Sequence, residues 1–69
     1  MRIILVDSVH PLLAERLSAA GHEVIAGHHL ADAELAKELG PVEGIVVRSR
    51  RLSADLMRHA RSLQFVARV

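Results

Sequence analysis

An open, parallel α/β sheet with helices on both faces is the fold class this sequence predicts, and three observations carry it. Short apolar runs alternate with stretches of helical spacing from one end of the chain to the other. The runs are continuously apolar instead of alternating, as in strands covered on both faces. Of 69 residues, 51% are hydrophobic but Phe65 is the single aromatic, so the core must be built from Leu, Ile, Val and Ala.

Arg2 to Val6 is a β-branched and leucine run closed by Asp7-Ser8, a fully buried strand. Pro11 then stands at a first helical position, where its missing N–H costs nothing. Leu13, Leu17 and Ala20 follow on one face, and Gly21 supplies the left-handed residue that stops the helix. His22 to Ala26, with Val24-Ile25 inside, is a second and shorter strand, and Gly27-His28-His29 a loop. Asp32 is the expected cap of a helix reaching Leu39, which Gly40-Pro41 ends. Gly44 to Arg48 is a third strand. Ser53 caps a third helix expected over Ala54 to Arg61, with Leu56, Met57 and Ala60 inward and Arg58, His59 and Arg61 near its C-terminus. Leu63 to Val69 is a fourth apolar run. It ends without a covering helix, so either more chain or another copy is expected to cover this edge.

Composition removes several function classes. A chain this short buries only about 60% of its unfolded surface and has a thin stability margin. With no cysteine it has neither disulfide nor thiolate metal site, and a net charge of +1 is too balanced to indicate nucleic acid or an anionic membrane. No apolar run approaches the roughly 20 residues of a transmembrane helix. The first run is too short for a signal peptide, so a cytoplasmic location is expected.

In open sheets of this kind, ligands sit beyond the carboxyl ends of the strands where strand order reverses. The first and third strands should flank that point. Their ends carry Asp7-Ser8-Val9-His10 and Arg48-Ser49-Arg50-Arg51. An arginine and a hydroxyl at the end of a buried strand suit a carboxylate or phosphate. They also suit a solvated loop whose arginines pair with local carboxylates, and the residues alone leave both readings open. Arg48 and Ser49 are the candidate anion-binding pair, with Ser8, His10 and Arg50 as a possible rim; His10 is also suited to capping the following helix. Adjacent His28 and His29 should diverge in a loop and do not make a metal site. The glycines stand singly, so no Gly-x-Gly-x-x-Gly dinucleotide fingerprint follows any strand. No nucleophile elbow, triad order or paired carboxylates appear.

The run Ile4-Leu-Val-Asp-Ser-Val-His-Pro-Leu-Leu, then Ala20-Gly-His-Glu-Val, then Gly44-Ile-Val-Val-Arg-Ser-Arg, then Leu63-Gln-Phe-Val-Ala-Arg68 resembles the opening of the D-isomer-specific 2-hydroxyacid dehydrogenases. The resemblance covers essentially the whole chain and is closest to the phosphoglycerate dehydrogenase branch. It implies a flavodoxin-like substrate-binding domain of about four strands here, continued after an inserted NAD-binding domain. It also implies oxidation of a small anionic D-2-hydroxy acid, or reduction of the 2-keto acid, with NAD, in a homo-oligomer. By that resemblance Arg48 and Ser49 face the substrate, and Arg68 begins a run near its carboxylate. Arg51-Leu52-Ser53 is one residue shorter than the family pattern. The family's catalytic residues and glycine fingerprint fall beyond Val69, so this chain is expected to bind no cofactor and catalyse nothing alone. Two other classes remain for comparison. A phosphoacceptor receiver would need an Asp where Arg48 stands. A self-associating interaction module would use the bare fourth strand.

Overall fold

The computed structural model describes residues 1–69. The elements run β1 (Arg2–Leu5), α1 (Pro11–Ala19), β2 (Glu23–Ala26), α2 (Asp32–Glu38), β3 (Gly44–Val47), α3 (Ala54–Met57) and β4 (Phe65–Arg68). The four strands form one sheet in the order β2-β1-β3-β4, and all three pairings are parallel. The flavodoxin-like α/β class expected from the sequence is the one observed. The chain moves outward from β1 to β2 and then crosses back to β3. Strand order therefore reverses between β1 and β3, as the sequence reading required.

The pleat divides the core. Ile4 of β1 and Val6 just beyond it, with Ile45 and Val47 of β3, face α2 and α3, where Leu35, Leu39, Val42 and Leu56 complete the larger cluster. Ile3, Leu5 and Val46 point to the opposite face, against Val9, Leu13, Ala14 and Leu17 from α1 and its lead-in. The central strands are buried almost residue for residue, whereas both outer strands stay largely open. Val66 on β4 remains 48% exposed.

Local signals explain most boundaries. The Gly21 φ of 92° is the left-handed turn that ends α1. The amides of Gly21 and His22 return to the carbonyls of Ser18 and Leu17, a Schellman closure. Ser53 Oγ accepts from the Leu56 amide at 3.1 Å, the N-cap its type predicts.

Three expectations need correction. Asp32 does not cap α2: Ala31 is the N-cap and makes no side-chain bond there, because the Asp32 carboxylate pairs with Arg50 instead. Ala20 is not part of the inward stripe of α1 but its exposed C-cap. The third helix stops at Met57, not Arg61. From there the amides of His59 and Ala60 bond three residues back to Leu56 and Met57. These tighter turns swing the chain round in time to enter β4.

One glycine is required by close approach. Gly44 lies beside Phe65 across the β3–β4 pair, and a Cβ on it would come within 2.2 Å of the ring. The single aromatic thus lies over the space of a missing side chain and holds the outer strand to its neighbour. Because the ring is partly exposed, Gly44→Ala should push it outward and cost on the order of 1 kcal/mol, read from the urea midpoint. In a Phe65→Ala background the same change should cost less, since no ring has to move. Equal losses in both backgrounds would show that the contact does not hold β4.

Candidate functional site

The carboxyl ends of β1 and β3 lie side by side, and their following loops make the densest polar contacts in the chain. Asp7 follows the buried Val6. Its Oδ2 accepts from three successive backbone amides of the β3–α3 loop: Arg48 at 2.5 Å, Ser49 at 3.0 Å and Arg50 at 3.0 Å. Successive amides turned to one point form an anion-binding concavity, and here the anion is the protein's own. The Arg48 amide bond is the largest influence and, joined by those of Arg50 and Ser49 and by the Arg48 charge, holds the Asp7 carboxyl below its ordinary pKa against the opposing pull of desolvation.

Arg50 returns the contact. Its guanidinium donates to the carbonyls of Val6 (3.2 Å), Gly27 (3.3 Å) and Leu30 (2.7 Å), and to Asp32 Oδ1 at 2.8 Å. This side chain is only 17% exposed. It ties the β3–α3 loop to the ends of the first two strands and to the start of α2.

The expected site residues are not gathered in one place. Ser49 and Arg50 line an open cleft of about 520 Å³ at the β3–β4 end, together with Val47, Arg51, Leu52, Val66 and Arg68. Ser8 and His10 line a smaller cleft of about 170 Å³ beside α1, with His28. Arg48 is exposed and lines neither cleft. His10 Nδ1 accepts from the Leu12 amide at 3.1 Å, so this ring is the N-cap of α1. The rings of His28 and His29 do not diverge as expected but meet edge to face, with centroids 5.3 Å apart. No three His, Asp or Glu side chains come together in metal-binding fashion.

The larger cleft is cationic and has no carboxylate in its lining. Arg50 is committed to the fold, whereas Arg48, Arg51 and Arg68 make no ion pair. Arg51, Leu52 and Val66 were not anticipated as lining residues. They enter because Val66 faces the same side of the sheet as Val47, and Arg51 and Leu52 follow Arg50 in the loop beside them. What the arrangement can do chemically is hold an anion by guanidinium and hydroxyl donors. It does not fit a dinucleotide. The β1–α1 turn, where a pyrophosphate would lie, has no glycine; it holds the Asp7 carboxylate, and α1 opens with Pro11, which has no N–H to offer.

The sequence profile described as the D-isomer specific 2-hydroxyacid dehydrogenase catalytic domain matches residues 3–69. The chain belongs to this family. Among curated relatives, the D-3-phosphoglycerate dehydrogenases of Sus scrofa and Homo sapiens are each 34% identical to it over 68 residues, and that of Rattus norvegicus 35%. The matches take in 97% of this chain but 13% of each relative, so it spans about an eighth of their length. This is an oxidoreductase family, and the conserved-domain match begins at β1 and runs through β4.

Two outcomes follow from the cross-links. Asp7 has a lowered pKa in the folded state, so its share of stability is full above the unfolded pKa and is lost as pH falls through the folded one. The urea midpoint should therefore drop on acidification below about pH 5, and Asp7→Asn should flatten part of that drop. An identical acid profile in the variant would contradict the assignment. Arg50→Lys keeps the charge but loses the planar fork, and should cost roughly 1–3 kcal/mol in the same assay.

Proposed function

We propose that residues 1–69 are the N-terminal part of the substrate-binding domain of an NAD-dependent enzyme that oxidises a D-2-hydroxy acid, or reduces the 2-keto acid. The name of the relatives makes 3-phosphoglycerate the first substrate to try. A cytoplasmic location and a homo-oligomeric assembly belong to the same proposal. The observation that carries it is the cleft lined by Ser49, Arg51 and Arg68, without a carboxylate, at the strand ends of a chain matched to this family from residue 3 to residue 69.

In this reading Ser49, Arg51 and Arg68 hold the anionic substrate, and Arg48 reaches toward it from the opposite side of the loop. NAD, when bound, supplies the hydride acceptor, and the residues that hold it lie outside this segment. Nothing between Met1 and Val69 is assigned a catalytic role. The self-associating module is not favoured, because a match to a catalytic domain spans nearly every residue of the chain.

The test is the coding sequence downstream of Val69 and the activity of the polypeptide it encodes with this segment. A continuation into Gly-x-Gly-x-x-Gly, with NAD reduction that depends on D-3-phosphoglycerate or another D-2-hydroxy acid, is the expected result. In that enzyme Arg48→Ala should raise KM on the order of tenfold, the worth of one charge-assisted hydrogen bond, with kcat less affected. Activity indifferent to Arg48, Ser49, Arg51 and Arg68 alike would overturn the reading. The 69-residue chain alone should show no heat of NAD binding by calorimetry; micromolar binding would likewise contradict it.

A further inference from the structure

The β3–α3 loop offers three consecutive amides, the natural donors for a bound carboxylate or phosphate, yet all three close on Asp7 Oδ2. The loop is then fixed from its other side by Arg50, which bonds the Val6 carbonyl directly beside Asp7. The cross-link is reciprocal. The end of β1 takes the loop's amides, and the loop takes the end of β1 by its guanidinium. Between these anchors the side chains of Arg48 and Ser49 are exposed, and Arg51 follows immediately into the cationic cleft. The amides of residues 48–50 are spent on the fold, and the side chains of Arg48, Ser49 and Arg51 are free.

We propose that Asp7 is a positioning residue for the anion site: by filling the amide nest of residues 48–50 it fixes the loop so that Arg48, Ser49 and Arg51 meet the ligand through side chains alone. This rests on the anion-binding role proposed above and adds the residue that organises it. The physical gain is preorganisation. A loop of three flexible cationic or polar residues loses less freedom on binding if its backbone is already pinned. The carboxylate also keeps a ligand anion away from the nest, which leaves the side chains of Arg48, Ser49 and Arg51 to make the loop's contacts with it. Specificity would then follow side-chain identity at positions 48, 49 and 51.

The test compares Asp7→Ala and Asp7→Asn in the complete polypeptide that carries this segment, by amide hydrogen exchange and by steady-state kinetics. In Asp7→Ala the amides of Ser49 and Arg50 should exchange at least about tenfold faster, while those of Ile45 and Val46 keep their protection and report an intact sheet. KM for D-3-phosphoglycerate should rise about tenfold with kcat changed far less. Asp7→Asn retains one side-chain oxygen to accept the amides, and should recover most of the protection and of the KM. Unchanged exchange at Ser49 and Arg50 in the alanine variant would overturn the proposal, as would a lowered KM, which would make Asp7 simply a repelling charge. If Asp7→Ala also loses protection in β3, the asparagine variant decides: wild-type exchange and KM support the role, and an unprotected loop over a folded sheet overturns it. The functional reading fails separately, when the wild-type enzyme shows no dependence on an anionic hydroxy acid although the loop amides behave as described.

Discussion

A single carboxylate oxygen ties the carboxyl end of β1 to the loop that follows β3. Asp7 sits one residue beyond the buried Val6 and gathers the amides of Arg48, Ser49 and Arg50. Without it, those donors at the mouth of a half-exposed loop would be left to water, and the path from β3 to the Ser53 cap would rest on Arg50 alone. Arg50 then spreads the constraint outward to the loop after β2 and to the first residue of α2. Four of the seven elements are thereby referred to one point at the strand ends.

This arrangement depends on strand order. β1 and β3 are neighbours only because the crossover through α2 passes back over β1. The same reversal brings Asp7, at the end of β1, within reach of the loop that follows β3. On the inner strands the pleat divides apolar side chains between two helical layers, so the polar loops ride on a rigid base. The outer strands are another matter. β4 is anchored through Phe65 over Gly44, and its Val66 and Arg68 help form the wall of the cationic cleft. On β4 the roles alternate, with Ala67 packed against the smaller core cluster and Val66 and Arg68 in the cleft, whereas Val47 of β3 serves both core and cleft.

Much of this was legible in the sequence. Continuous apolar runs marked all four strands, and Pro11, Gly21, Gly40 and Ser53 marked turns and caps through local chemistry that needs no tertiary partner. The point of strand reversal followed from the alternating order of elements. What could not be read depends on distant partners. Asp7 and the amides it accepts are 41 to 43 residues apart. Asp32 has the right type for a cap, but a guanidinium arriving from 18 residues away takes its carboxylate. The segment after Met57 has acceptable helix formers, yet the need to enter β4 tightens it into turns. The sequence put the candidate anion residues at the carboxyl ends of β1 and β3, where they lie in the fold, but not their separation into two clefts. That separation is set by which face of the sheet each side chain leaves.

The account stands on Asp7 being ionised inside a nest of three amides, and a pH titration followed by heteronuclear NMR tests this most directly. The amide resonances of Arg48, Ser49 and Arg50 should shift together with the Asp7 carboxyl carbon, all with one midpoint below the usual range for an aspartate. Amides that titrate independently of Asp7, or an Asp7 midpoint at or above the usual value, would contradict it.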